Sequence, residues 1–82
     1  MKVLYFAWLR ERIALDGEDV PADGLATVAD LVEALKARGD RYEAAFGDMR
    51  AVRVAVNQKV TTLDAPLDGA TEVAFFPPMT GG

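Results

Sequence analysis

This 82-residue chain contains neither cysteine nor histidine. Their absence removes thiolate nucleophiles, disulfides, thiolate or imidazole metal sites and the commonest general base. Basic residues are also in deficit, nine against thirteen acidic ones, for a formal charge of −4. The nine are scattered along the chain, which argues against a phosphate-backbone ligand, because nucleic-acid affinity needs clustered Lys and Arg. The acidic balance fits either a solubilising surface or docking onto a basic partner. No apolar run approaches the ~20 residues that span a bilayer, and Met1-Lys2 leads straight into a strand-like segment, so the expectation is a cytoplasmic protein without membrane contact. The chain is too short for two cores and is expected to form one domain.

What is present is alternation and punctuation. Val3-Leu4-Tyr5-Phe6-Ala7-Trp8 is apolar on both alternating faces and reads as a first strand. Asp16-Gly17 is a turn signal before Glu18-Asp19-Val20-Pro21, where the proline limits pairing and points to a weak or edge strand. Thr27 is a good N-cap for an amphipathic helix carrying Val28, Leu31, Val32 and Leu35, with Asp30 in its first turn and Gly39 as its stop. Arg41 to Phe46, with Asp40 and Glu43 available as caps, reads as a second short helix or an ordered loop. Residues 51–56 alternate with period two, Asn57-Gln58 turns the chain into Lys59-Val60-Thr61-Thr62, and Thr71 to Phe76 forms a last strand closed by Pro77-Pro78. Strand, strand, helix and three strands make an α+β domain with one main helix over one face of a mixed sheet, the element order of the β-grasp (ubiquitin-like) fold.

One helix covers one face only. Lys2 points to the even-numbered side of strand one as the outer side, so Phe6, Val60 and Phe76 are the expected members of an exposed apolar patch, with Leu4 and Trp8 as further candidates. A permanent or recurrent protein interface is one reading of such a patch, and a core misplaced by a one-residue register slip is the other. Residues 1–76 are taken as the domain. Residues 77–82, Pro77-Pro78-Met79-Thr80-Gly81-Gly82, are taken as a tail that extends roughly 20 Å at ~3.3–3.6 Å per residue. The prolines keep its base extended, and the glycines carry no side chain to obstruct a narrow channel.

The segment Glu72-Val73-Ala74-Phe75-Phe76-Pro77-Pro78-Met79-Thr80-Gly81-Gly82 resembles the C-terminal signature of the small sulfur-carrier subunits of molybdopterin synthase, the MoaD family. Val3-Leu4-Tyr5-Phe6-Ala7, Leu9-Arg10-Glu11, Val56-Asn57-Gln58 and Asp64-Ala65-Pro66-Leu67-Asp68-Gly69 extend the resemblance, with a looser middle. Met79 departs from the Val or other small residue often found there.

The resemblance implies that Gly82 is the reactive residue. An adenylating, MoeB-like enzyme would use ATP to activate its carboxylate, and a sulfur donor would convert the adenylate to a thiocarboxylate (1-thioglycine). Gly81, Thr80, Met79, Pro78 and Pro77 would thread the tail into the active site of the large subunit. There sulfur would enter cyclic pyranopterin monophosphate to form the dithiolene of molybdopterin, in molybdenum cofactor biosynthesis. The carrier would bind no cofactor or metal and would be the non-catalytic, sulfur-donating part of a heterotetramer. Phe6, Val60 and Phe76 match the family's hydrophobic contact surface. Arg10, Glu11 and Lys59 read as solvated charges, with a polar rim as the other reading. A carrier for thiamin thiazole synthesis also ends in Gly-Gly, although Phe-Phe-Pro-Pro speaks against it. A ubiquitin-like modifier would use the same adenylate to acylate a lysine.

Overall fold

A computed structural model describes residues 1–78; the Met79, Thr80, Gly81 and Gly82 expectations lie outside the described residues. The chain runs β1 (Lys2–Tyr5), α1 (Trp8–Ile13), β2 (Gly17–Asp19), α2 (Val28–Lys36), α3 (Asp40–Phe46), a 3₁₀ turn (Met49–Ala51), β3 (Arg53–Val56), β4 (Lys59–Thr61) and β5 (Glu72–Phe76). The five strands form one mixed sheet in the order β2-β1-β5-β3-β4. β1 and β5 are parallel neighbours at its centre, and the other pairings are antiparallel. With helices on one face, this is the β-grasp arrangement expected from the element order.

Helix α2 forms where the apolar spacing places it. Thr27 Oγ1 accepts from the Asp30 amide at 3.3 Å, and Asp30 Oδ2 accepts from the Thr27 amide at 3.1 Å, a reciprocal capping box. The next free amides are also satisfied: Val28 N–H donates to the Ala65 carbonyl and Ala29 N–H to the Leu63 carbonyl. The Leu63–Ala70 connection is thereby fastened to the start of the helix, and its Leu67 is buried in the core. Val28, Leu31, Val32 and Leu35 face the sheet and are buried.

Three expectations need correction. The first strand stops at Tyr5; the chain reverses at Ala7, whose φ is 55° and ψ −130°, and residues 8–13 form α1. Leu9 and Ile13, one helical turn apart, are both buried, so this short helix is drawn in by packing. Trp8 consequently belongs to α1 and not to the outer side of β1; its ring lies 5.3 Å from the Arg12 guanidinium. Gly39 does not stop α2, which ends at Lys36 with Ala37 as C-cap; Gly39, at φ 149°, opens α3 instead. Asp40 and Glu43 lie within the first turn of α3, where negative charge suits the helix dipole, and no side chain caps that helix.

The core lies between helices and sheet. Tyr5, Phe46 and Phe75 form its aromatic centre, with Phe46 edge-on to Phe75 at 4.9 Å between centroids and Tyr5 stacked on Phe75 at 6.4 Å. Among the described residues no helix is long and apolar enough to cross a membrane.

Candidate functional site

The strand register sorts side chains between two faces. Val3, Tyr5, Val54, Val73 and Phe75 point to the helices and are buried. Their sequence neighbours point the other way, where no helix packs among the described residues. Leu4 pairs with Ala74, Ala74 with Ala55, and Ala55 with Val60, so a row of large, small, small and large apolar side chains crosses this bare face. Gly17 continues the row on β2. A Cβ there would lie 2.8 Å from the Val3 carbonyl oxygen and 2.9 Å from Leu4 Cδ2, so only glycine leaves room for the Leu4 side chain.

Phe6 and Phe76 lie at the end of the sheet from which the chain leaves β5. The Phe6 amide donates to the Phe75 carbonyl at 3.1 Å, extending the parallel ladder one residue beyond β1. Phe6 is 45% exposed and Val60 72%, and Phe76 is half-buried, opposite Arg53 on β3. The structure therefore brings Phe6, Val60 and Phe76 onto one face, with Leu4 half-buried beside them. Exposed apolar side chains gathered on one face of a small domain form the kind of surface that a partner covers.

Pro77 and Pro78 follow Phe76 directly and are half-buried. Arg53, beside this root, donates from Nη1 to the carbonyls of Arg50 (3.2 Å) and Val52 (3.1 Å). Arg10 is exposed and 3.7 Å from Asp16, while Glu11 and Lys59 are exposed.

A second constellation escaped the sequence reading. Glu18 pairs with Val3 across β1 and β2, which turns its side chain toward the helices. Its Oε2 accepts from the hydroxyls of Tyr5 and Tyr42, both at 2.8 Å, and its Oε1 accepts from Arg38 Nη1 at 2.6 Å. Burial, followed by the neighbouring Glu18 carboxylate, pushes the Tyr5 hydroxyl far above the ordinary phenol range, and the same causes raise Tyr42. A carboxylate with three donors is committed to structure: it ties edge strand β2 to Tyr5 on β1, to Arg38 just beyond α2 and to Tyr42 on α3. No signal within residues 16–21 announces it, because the donors come from 13 to 24 residues away. No group of three or more Asp, Glu, His or Cys side chains placed to hold a metal occurs among the described residues.

The chemistry open to the described residues is thus recognition. A bare apolar face borders the root of the C-terminal segment, and the charged groups nearby are either exposed or occupied. Comparison with known proteins adds the following. The family model described as the ThiS family matches residues 3–82. The chain is 44% identical over 82 residues to the molybdopterin synthase sulfur carrier subunit of Escherichia coli (strain K12), covering 100% of this chain and 99% of that protein. It is 37% identical to the subunit of the same name from Haemophilus influenzae, with the same coverage. Crystal structures of SAMP1, the small archaeal modifier protein 1 of Haloferax volcanii, superpose with TM-scores of 0.79 and 0.73 at 32% identity. They cover 100% and 96% of this chain and 98% and 97% of the respective structures.

Proposed function

The chain belongs to the ThiS family, and from that membership we propose that it is the sulfur-carrier subunit of molybdopterin synthase, with the C-terminal carboxyl of Gly82 as the sulfur-bearing group. The observation that carries this reading is the 44% identity, over essentially the whole length of both chains, to a protein of that name. The bare face beside the C-terminal end of β5 supports it, since a carrier that presents its end to other proteins needs a surface for them to hold.

The chemistry follows from the carboxylate. Resonance makes it a poor electrophile, so an activating enzyme first joins it to AMP: a Gly82 oxygen attacks the α-phosphorus of ATP and pyrophosphate leaves. Sulfide-level sulfur, supplied as hydrosulfide by a donor system, then adds to the acyl carbon and AMP departs, which leaves a thiocarboxylate directly. Its sulfur is ionised and soft near neutral pH, so it serves as a nucleophile without any cysteine in the carrier. Threaded through Pro77, Pro78, Met79, Thr80 and Gly81 into the large subunit, it gives sulfur to cyclic pyranopterin monophosphate. In each transfer water then cleaves the acyl–sulfur bond, the sulfur stays on the pterin and Gly82 returns to the carboxylate; two such transfers complete the dithiolene of molybdopterin. ATP is consumed on the activating enzyme; general acid–base groups belong to the large subunit. Phe6, Val60 and Phe76 hold each partner in turn, and two carriers flank a large-subunit dimer in a heterotetramer.

Intact-protein mass spectrometry after incubation with ATP, a sulfide source and the activating enzyme tests this. The expected result is a gain of about 16 mass units at Gly82, oxygen replaced by sulfur in the reactive acyl group. No gain with an active enzyme overturns the carrier reading. The likeness to the archaeal modifier protein favours one alternative, in which the same adenylate acylates a lysine of a target. Adducts resistant to reducing agent and hydroxylamine identify that outcome.

A further inference from the structure

The strand order leaves β4 at one edge of the sheet. The β3–β4 hairpin closes through two residues, Asn57 and Gln58, both with positive φ. A turn of this length makes Val56 and Lys59 a hydrogen-bonded pair, so Ala55 and Val60 form the next, non-hydrogen-bonded pair. The amide and carbonyl of Val60 therefore point away from β3, and among the described residues neither meets a backbone partner outside the ladder. On the helix side of the same strand lies an open groove of about 560 Å³ whose lining includes Met49, Val52, Val54, Thr61 and Leu63. The Val60 side chain, on the opposite side, is the most exposed large apolar group of the bare face.

We propose that the partner covering the bare face also wraps this edge, adding an extended segment to β4 as a sixth strand. Its backbone exchanges hydrogen bonds with the Val60 amide and carbonyl, and one of its apolar side chains enters the groove beside Leu63. This rests on the carrier reading for the existence of a tail-receiving partner. Three observations commit the occupant. The unpaired groups belong to an open strand edge, whose complement is extended backbone. They belong to Val60, so a segment paired there is continuous with whatever seats on Phe6 and Phe76. The groove offers an apolar seat on the other side of the strand, as alternate side chains of an added strand require. The edge is short, because the Ala65 amide takes the Thr62 carbonyl and the chain turns away. Its role is to fix the register of a partner that the apolar face holds.

The test is amide hydrogen exchange resolved at Val60, in the carrier alone and in its complex with the large synthase subunit, alongside the affinities of Val60→Pro and Val60→Ala. Both substitutions remove apolar side-chain surface, but only proline removes the outward N–H, and the β3 ladder does not use that group. The expected result is exchange slowed by at least about tenfold in the complex, and binding about tenfold weaker for Val60→Pro than for Val60→Ala. Unslowed exchange at Val60 in the complex overturns the proposal, and the wild-type exchange decides if the proline variant fails to fold. Exchange that slows in the carrier alone as its concentration rises also overturns it, because the edge then belongs to a second copy. A carrier that gains sulfur at Gly82 yet shows either result loses the edge proposal alone. Absence of the mass gain overturns the parent reading and this proposal with it.

Discussion

The two faces of the sheet are built from the same strands, yet they have opposite tasks. On the helix side Val3, Tyr5, Val73 and Phe75 are at most 1% exposed, and no buried side-chain polar atom among the described residues lacks a hydrogen-bond partner. On the other side Phe6 and Val60 remain 45% and 72% exposed. Adjacent residues in one strand, such as Phe75 and Phe76, therefore answer to different constraints: one completes a core within the chain, the other presents surface that the described residues leave partly open. Size and apolarity do not tell the two apart. Register does.

Substitution of this adjacent pair is the sharpest way to break the comparison. Phe75→Ala empties the aromatic centre between Tyr5 and Phe46, and the expected loss is about 3–5 kcal/mol of folding stability, read by chemical or thermal denaturation. In a domain of this size that loss is enough to leave much of the chain unfolded. Phe76→Ala is expected to cost under about 1 kcal/mol of stability, because the side chain is already half in water, but to weaken binding to the large subunit by about 2 kcal/mol in calorimetry. Equal destabilisation by the two variants, with binding untouched, would make the second face a core and remove the distinction.

The helix side also carries the pH dependence. Tyr5 is held neutral by burial and by the Glu18 carboxylate, so its folded pKa lies above the unfolded value near 10. Its stabilisation is complete below about pH 10 and is lost as pH rises, because the unfolded chain releases the phenolic proton first. The slope approaches about 1.4 kcal/mol per pH unit for this one group. Tyr5→Phe is expected to lose about 1 kcal/mol at neutral pH and to flatten the alkaline limb of a stability profile. An unchanged limb would show that Tyr5 ionises as freely in the folded protein as in the unfolded one.

Local signals were legible in the sequence, and distant ones were not. Thr27 with Asp30 makes a capping box from residues three apart, and Asn57-Gln58 makes a hairpin turn between two alternating runs; both lie where they were expected. The placement of Phe6, Val60 and Phe76 on one face followed from parity, with Lys2 marking the wet side. The first strand was read too long because alanine at position 7 gives no sign of the φ of 55° at which the chain turns, and Trp8 was misplaced with it. The Glu18 cluster was invisible because its donors, Tyr5, Arg38 and Tyr42, come together only after β1, β2, α2 and α3 have packed. The reactive end was read from resemblance alone and lies outside the described residues.

The smallest expected effect falls at the join between the two faces, the turn that sets the β3–β4 register. Asn57 suits its φ of 50°, and its Oδ1 accepts from the Thr71 and Glu72 amides at 2.9 and 3.1 Å, which pins the hairpin to the start of β5. Gln58, at φ 70°, has no such compensation: this type of turn favours glycine at its second position, and a side chain with a Cβ is strained there. Gln58→Gly is accordingly expected to stabilise the domain by up to about 1 kcal/mol. Because the turn sets which of Val60's groups point outward, the variant should leave affinity for the large subunit unchanged while raising the melting temperature. A gain in stability accompanied by weaker binding would mean that the strained turn itself, and not only the face and edge it positions, is part of what the partner recognises.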